Sequence, residues 1–200
     1  MSRRPALAAG LGLLAVAAVW IGRAAVLSGI PSVTTPDSGA RIAMIRQLLA
    51  GGSLVEAAEP FALNPFSFYL AELPAGTYFI FAPLFPLLSA LPYRLAGPAG
   101  LLVLPLLAGL LACVATAAAG RRLGLATWPA IVPVTGLCTA LFFYSVGFWD
   151  TALLVACAAL ASVGLARGDA RGGAVAGAAF GAGSFLHESV PLLGAIAVVA

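Results

Sequence analysis

Apolar runs long enough to span a bilayer dominate this sequence. The runs 5–27 and 99–119 each provide the roughly 20 mainly apolar residues that an α-helix needs to cross a hydrocarbon core. Further apolar runs cover 77–96, 127–148, 151–166 and 172–200. Only 8% of the 200 residues are charged and 62% are hydrophobic. No soluble fold can bury this much apolar surface. The pattern predicts an all-α fold, a polytopic transmembrane helical bundle.

The first apolar run is predicted to be an uncleaved span with a cytoplasmic N-terminus. Arg3 and Arg4 followed by apolar residues also begin a secretory signal peptide. However, the run 5–27 is longer than the usual signal core of about 7–15 residues, and further spans follow it. The chain is therefore expected to keep this helix as its first crossing of the plasma or inner membrane.

The last apolar run is interrupted by a polar turn at His187-Glu188. We predict one span over 172–186 and a second that starts at 189 and is incomplete at 200. About ten apolar residues are too few to cross a bilayer. The 200 residues are thus expected to form a single transmembrane domain that belongs to the N-terminal part of a longer protein.

Residues 30–98 are predicted to form one large extracytoplasmic loop with juxtamembrane helices of its own. Asp37 or Ser38 would cap a helix over about 38–50, and a glycine pair would end it. Apolar residues recur in this helix at helical spacing, and Arg41 lies on or beside its polar face. Such an amphipathic helix is expected to lie at the membrane surface.

The apolar segment 77–96 decides which loops share a side of the membrane. It contains three prolines within ten residues, each of which removes a helix hydrogen-bond donor. If it does not cross, all the arginine pairs are cytoplasmic, in agreement with the positive-inside bias. These pairs are Arg3 with Arg4, Arg121 with Arg122, and Arg167 with Arg171. We therefore predict a second surface helix over 77–96.

This topology also gathers the acidic residues on one side. Six of the seven lie outside, namely Asp37, Glu56, Glu59, Glu72, Asp150 and Glu188. Because acidic residues contribute little to the positive-inside bias, their common side is a partly independent observation. It predicts that Asp37, Asp150 and the His187-Glu188 pair meet at one membrane face.

Each of these residues has a structural and a chemical interpretation. Asp150 either caps the following helix or contacts a substrate or metal. Asp37 either caps its helix or acts as a general base toward an acceptor hydroxyl. The His187-Glu188 pair forms either a polar turn or a proton carrier or metal contact. Nearby aromatic residues either anchor the loop or line a sugar or lipid groove; they are Phe61, Phe66, Phe68, Tyr69, Tyr78, Phe79 and Phe81.

The order of these features resembles the GT-C superfamily of membrane glycosyltransferases, of the protein O-mannosyltransferase and aminoarabinose-transferase type. Residues 37–41 and 48–52 are similar to that family's acidic residue, small surface helix and glycine. Residues 83–97 are similar to its Pro-rich juxtamembrane segment, and residues 144–150 to its second acidic loop. Residues 185–188 occupy the place where relatives often carry a basic residue near a glutamate.

The resemblance implies sugar transfer from a polyprenyl-phosphate donor to an extracytoplasmic acceptor. In such a reaction an acceptor hydroxyl loses a proton while a phosphate leaving group gathers negative charge. Asp37 would be the base, and Asp150 would assist at the active site or hold a divalent metal ion. The residues that would face the lipid phosphate are Arg41, Arg94, His187 and Glu188.

Two other functions are compatible with the same residues. A proton-coupled transporter or flippase-like protein would use Asp150 and the His187-Glu188 pair as a proton path. A non-enzymatic membrane assembly subunit would use the acidic loops as contact surfaces. Nucleic-acid binding is excluded, because the ten basic residues are scattered between apolar runs instead of forming one basic face.

Overall fold

The protein is described by a computed structural model over residues 4–28, 36–57 and 69–186. Within these ranges the chain is mostly helical, with one antiparallel hairpin. The elements are α1 (Arg4–Ser28), α2 (Pro36–Leu49), β1 (Leu70–Leu73), β2 (Gly76–Phe79), α3 (Leu84–Ala96), α4 (Val103–Arg122), α5 (Trp128–Leu137), α6 (Leu141–Ser145), α7 (Thr151–Leu165) and α8 (Ala170–Ser184). A 3₁₀ helix, Gly97–Leu102, joins α3 to α4. The predicted partial span 189–200 lies outside the described residues.

Two helical stretches of the described chain are long and apolar enough to cross a membrane. One is Arg4–Val26 in α1, and the other is the 39-residue stretch Leu84–Arg122. As one straight helix the second stretch would measure about 58 Å, roughly twice a bilayer core. Gly97 interrupts it, because its φ of +58° lies in the left-handed region and ends α3. The 3₁₀ helix and α4 therefore form the part of spanning length.

Helix α4 is the centre of the bundle. It packs against α1, α5 and α7, and α7 packs in turn against α8. The crossings are close: a Cβ atom on Gly109 would lie 2.0 Å from Ser145 Oγ and 2.5 Å from Trp20 Cζ3. Trp20 Nε1 donates a hydrogen bond of 3.0 Å to the Gly136 carbonyl, which ties α1 to α5. Small residues at close crossings are typical of helices that associate in lipid.

One end of the bundle is defined by Asp150, the residue that precedes α7. Phe148 packs there with Leu101, which lies just before α4, so the starts of α4 and α7 are neighbours. The first described residues after α8 reach the same place, because Leu186 belongs to the same apolar cluster. We refer to this end of the bundle as the Asp150 end.

The opposite end carries arginine side chains. Arg121 and Arg122 end α4, about 30 Å from its start. The pKa of Asp169, in the turn before α8, is lowered mainly by a hydrogen bond from Arg167, with a smaller contribution from the charge of Arg122. Ala9 of α1 lines a cavity together with Arg121, so the beginning of α1 also lies here. We refer to this as the arginine end.

The long loop is organised differently from its prediction. The helix predicted over 38–50 is α2, and Gly51, at φ +84°, follows its end. The surface helix predicted over 77–96 is wrong in its first part, because Gly76–Phe79 is strand β2, paired with β1. β-branched and aromatic residues in this stretch favour a strand. Pro83 then precedes the first residue of α3, where a fixed φ suits a helix start.

The span predicted over 127–148 is not one continuous helix. Helix α5 ends at Leu137, and the short helix α6 begins only at Leu141. Thr139 lies between them, where its hydroxyl donates to the Thr135 carbonyl at 2.6 Å and accepts from the Leu141 amide at 3.2 Å. A threonine that bonds to local backbone in this way competes with a continuous helix.

Candidate functional site

A buried ion pair links the long loop to the bundle at the Asp150 end. Arg41 Nη2 of α2 donates to Asp150 Oδ2 at 2.8 Å, across a sequence separation of 109 residues. The two side chains are 6% and 7% exposed. Charge-assisted hydrogen bonds of this length are strong, and burial reduces their screening by water and salt. Two residues that the sequence analysis selected independently are therefore in direct contact.

The location of Arg41 corrects the prediction that α2 is an amphipathic surface helix with this arginine on its polar face. One side of α2 packs through Met44 against the hairpin, where Phe79 is also buried. Another side packs through Ile45 against α3 and the α6–α7 connection. Ser38 Oγ adds a hydrogen bond of 3.2 Å to the Phe148 carbonyl. Because both sides of the first two turns are covered, Arg41 is buried.

The guanidinium of Arg41 is surrounded by aromatic rings as well as by Asp150. Its Cζ lies 4.4 Å from the centre of the Phe81 ring and 5.9 Å from that of Phe85. Both distances are within the range of cation–π attraction. The second terminal nitrogen, Nη1, is buried and has no hydrogen-bond partner among the described residues. A buried N–H group without a partner is costly, so this nitrogen is suited to an anionic ligand.

Asp37 lies one turn before Arg41 and belongs to the same cluster. It is in the first turn of α2, which begins at Pro36, so it does not precede the helix as a cap would. A hydrogen bond with Asp37 is the largest cause that raises the pKa of Tyr69, and the positive charge of Arg41 opposes the shift. Tyr69 stacks on Phe81, with ring centroids 5.1 Å apart. The carboxylate of Asp37 therefore has a phenol as its neighbour.

Asp150 occupies the N-cap position of α7, but its side chain makes no capping hydrogen bond. The capping interpretation is therefore wrong for the side chain, which is directed to Arg41 instead. A divalent metal fits poorly here, because the carboxylate is already paired with a guanidinium at 2.8 Å. The described part of the chain also contains no three or more histidine, cysteine, aspartate or glutamate side chains placed so that together they could hold a metal ion. No step of the reaction proposed below uses a metal.

Of the remaining predicted site residues, Arg94 is described and is not joined to this cluster. Arg94 is exposed in the last turn of α3 and makes no ion pair within the described ranges. Its neighbour Tyr93 accepts a hydrogen bond of 3.1 Å from Arg46 Nε, which links α3 to α2. His187 and Glu188 lie outside the described residues.

Ser38, Tyr69 and Phe81 contribute to the cluster but were not selected as site residues from the sequence. Ser38 was considered only as a possible helix cap. Tyr69 and Phe81 were included in an aromatic group with two alternative roles, and the structure places both against the Asp37–Arg41 turn. Their signal in the sequence was the concentration of aromatic residues over 61–81. Nothing in that pattern indicates which ring lies over Arg41.

Comparison with protein-family models, with curated proteins and with solved structures finds no match for this chain. The resemblance to membrane glycosyltransferases therefore rests on the sequence features given above.

Proposed function

We propose that this chain is a multi-pass integral membrane protein with a cytoplasmic N-terminus. Large apolar side chains on its helices are solvent-exposed, including Leu7 at 65%, Leu14 at 68% and Leu107 at 59%. Extended exposed apolar surface of this kind marks contact with lipid or with other proteins. The first turns of α1, the end of α4 and the α7–α8 turn meet at the arginine end, which suits the cytoplasmic side.

This topology is tested with a membrane-impermeant thiol reagent on intact cells. In a background without native cysteines, Glu72→Cys and Arg122→Cys place single thiols at two exposed positions. Labelling of position 72 alone is expected. Labelling of both positions, or of position 122 alone, contradicts the proposed orientation.

We further propose that the protein is a membrane glycosyltransferase that takes a sugar from a polyprenyl-phosphate donor. The observation that carries this proposal is the convergence of Asp37, Arg41 and Asp150 at one end of the bundle. A carboxylate, a guanidinium with an unpartnered nitrogen and several aromatic rings are the groups that transfer from a lipid-linked phosphate requires.

In this reaction the acceptor hydroxyl oxygen bonds to the anomeric carbon, while the bond from that carbon to the donor phosphate breaks. Asp37 accepts the hydroxyl proton, and the departing phosphate retains the bonding electron pair. Arg41 Nη1 donates a hydrogen bond to that phosphate as its charge increases. Asp150 acts as a positioning residue, because its hydrogen bond orients the guanidinium.

The test is transfer of labelled sugar from a polyprenyl-phosphate donor by the full-length protein in membranes. Asp37→Asn is expected to lower kcat by about 10²–10⁴, the usual contribution of general acid–base catalysis. Asp150→Asn is expected mainly to raise KM for the donor, because Arg41 loses its orienting partner. Asp169→Asn, at the arginine end, is the matched control and should retain activity. Wild-type activity in both Asp37→Asn and Asp150→Asn contradicts the assignment.

The buried ion pair also favours a second candidate, a non-enzymatic membrane assembly subunit in which Arg41 and Asp150 only hold the loop against the bundle. The double variant Arg41→Met with Asp150→Leu separates the two functions. Replacing a buried ion pair by apolar residues of similar volume often preserves the fold. Transferase activity that is present in the wild type and lost in a folded double variant supports the enzyme. A wild type without measurable transfer, together with a double variant that retains partner binding, supports the subunit.

A further inference from the structure

The arginine end contains a cavity that the proposed reaction does not use. It has a volume of about 290 Å³ and lies between α1, α4 and α5. Apolar residues of all three helices line it, and one side chain in the lining is charged. Among the lining residues are Gly10, Leu13, Val114, Ala118 and Trp128, with Arg121 as the charged one.

The charged residue has a defined place at this cavity. Arg121 is exposed in the last turn of α4, and its Cζ lies 5.7 Å from the centre of the Trp128 ring. A tryptophan beside an arginine at a helix end is typical of the boundary between lipid chains and headgroups. The groove is therefore apolar inside and positively charged at the level where lipid phosphates lie.

The shape and chemistry of the groove restrict its occupant. A polar metabolite would lose its hydration without gaining partners, since the lining offers little besides one guanidinium. The volume is near the lower limit of small-molecule sites, roughly 300–1,000 Å³, and suits a single alkyl chain. The chain after α8 leaves the described part through Leu186, at the opposite end of the bundle.

We propose that this groove binds one anionic phospholipid of the surrounding bilayer. An acyl chain occupies the cavity between α1, α4 and α5, and the phosphate contacts Arg121. The positive charge at the mouth complements an anionic headgroup. This inference rests on the proposed membrane insertion but is independent of sugar transfer, so failure of one does not imply failure of the other.

The test uses the full chain in phosphatidylcholine vesicles that contain a minor fraction of brominated lipid, which quenches tryptophan fluorescence on contact. Brominated phosphatidylglycerol is expected to quench Trp128 more than the same fraction of brominated phosphatidylcholine. The variant Trp128→Phe identifies the part of the signal that comes from this ring. Arg121→Gln is expected to lower the preference for phosphatidylglycerol about fivefold.

Two further substitutions separate the groove from general surface attraction. A Cβ on Gly10 would meet nothing within 4 Å, so Gly10→Leu adds a side chain at an open position of the cavity wall and should reduce quenching by both lipids. Gly177→Leu in α8 is the matched control, since its site is equally open, and should leave quenching unchanged. Equal quenching by the two lipids in the wild type overturns the proposal. An equal effect of Arg122→Gln and Arg121→Gln, or a concentration-dependent dimer that shields Trp128, also overturns it.

Discussion

The two ends of the bundle each contain an arginine–aspartate pair, but the pairs differ in separation and surroundings. Arg41 and Asp150 are 109 residues apart in sequence, and their side chains are 6% and 7% exposed. Arg167 and Asp169 are two residues apart, and their side chains are 33% and 49% exposed. The first pair joins the loop to the bundle, whereas the second lies within one turn between neighbouring helices.

This difference determines what each pair contributes. A surface pair typically contributes between zero and about 1 kcal/mol, because water and salt screen it. A buried pair has a large desolvation cost that its own attraction roughly offsets, but removing one partner leaves an uncompensated buried charge. The Asp150 end is therefore expected to be sensitive to single substitutions and tolerant of paired ones. The arginine end is expected to be tolerant of both.

The largest expected effect is that of Asp150→Ala. It leaves the Arg41 guanidinium buried without its carboxylate, and breaking a buried pair in this way typically costs about 3–5 kcal/mol. Thermal unfolding of the purified protein in detergent measures the loss. Asp169→Ala, which breaks the exposed pair, should lower the unfolding temperature much less.

The double variant Arg41→Met with Asp150→Leu provides the control for this prediction. It removes both charges, so most of the stability lost in Asp150→Ala should return. If the double variant is as unstable as Asp150→Ala, the pair makes a net favourable contribution that apolar packing cannot replace. The contrast between the two ends would then be larger than proposed.

A smaller effect is expected at Asp169, which both pairs with Arg167 and caps α8 by accepting a 2.6 Å hydrogen bond from the Gly172 amide. Asp169→Asn keeps a capping side chain and should be nearly neutral, whereas Asp169→Ala removes the cap and should destabilise more.

The pKa of Asp169 is lowered from 3.8, so its contribution to stability is present above that pH and is lost as the pH falls through the lowered pKa. The difference in unfolding temperature between Asp169→Asn and wild type should therefore change with pH only in the acidic range.

The smallest effect concerns Tyr69 at the Asp150 end. Its pKa is raised from 10.0, chiefly by the hydrogen bond with Asp37. A raised pKa means that the stabilisation is present below pH 10.0 and is lost as the pH rises through the folded value. A tyrosinate absorbance titration, with Tyr69→Phe to assign the signal, should show this pKa decrease in Asp37→Asn. No change in that variant would show that Asp37 and Tyr69 are not coupled.

Much of the helical organisation could be predicted from the sequence. The positions of α1, α4, α7 and α8 follow from apolar runs bounded by charged residues or glycines, because these signals are local. The predicted span over 127–148 is interrupted as a helix at Thr139, whose side chain bonds to nearby backbone within an apolar run. The helix predicted over 77–96 failed at the hairpin, since a short apolar run does not distinguish a strand from a helix.

Three members of the candidate site were selected from the sequence, but their geometry was not predicted. Asp37 and Asp150 were selected as charges beside helix ends in an apolar chain, whereas Arg41 was selected from the resemblance to membrane glycosyltransferases. The Arg41–Asp150 pairing was not predicted, because a contact across 109 residues depends on how α2 packs against α3 and the α6–α7 connection. Arg41 was expected on a polar surface because the periodicity of α2 does not show that a hairpin covers it.

The sequence by itself determined the apolar character of the chain, the main helices and the small set of charged residues available for chemistry. These properties follow from composition and local periodicity, which act on the chain wherever it lies. Only the tertiary structure decided that Arg41 is buried, that it pairs with Asp150 and that Phe81 lies over its guanidinium. Such contacts depend on the packing of distant segments, and burial then gives one pair of charges a role that the exposed pair does not have.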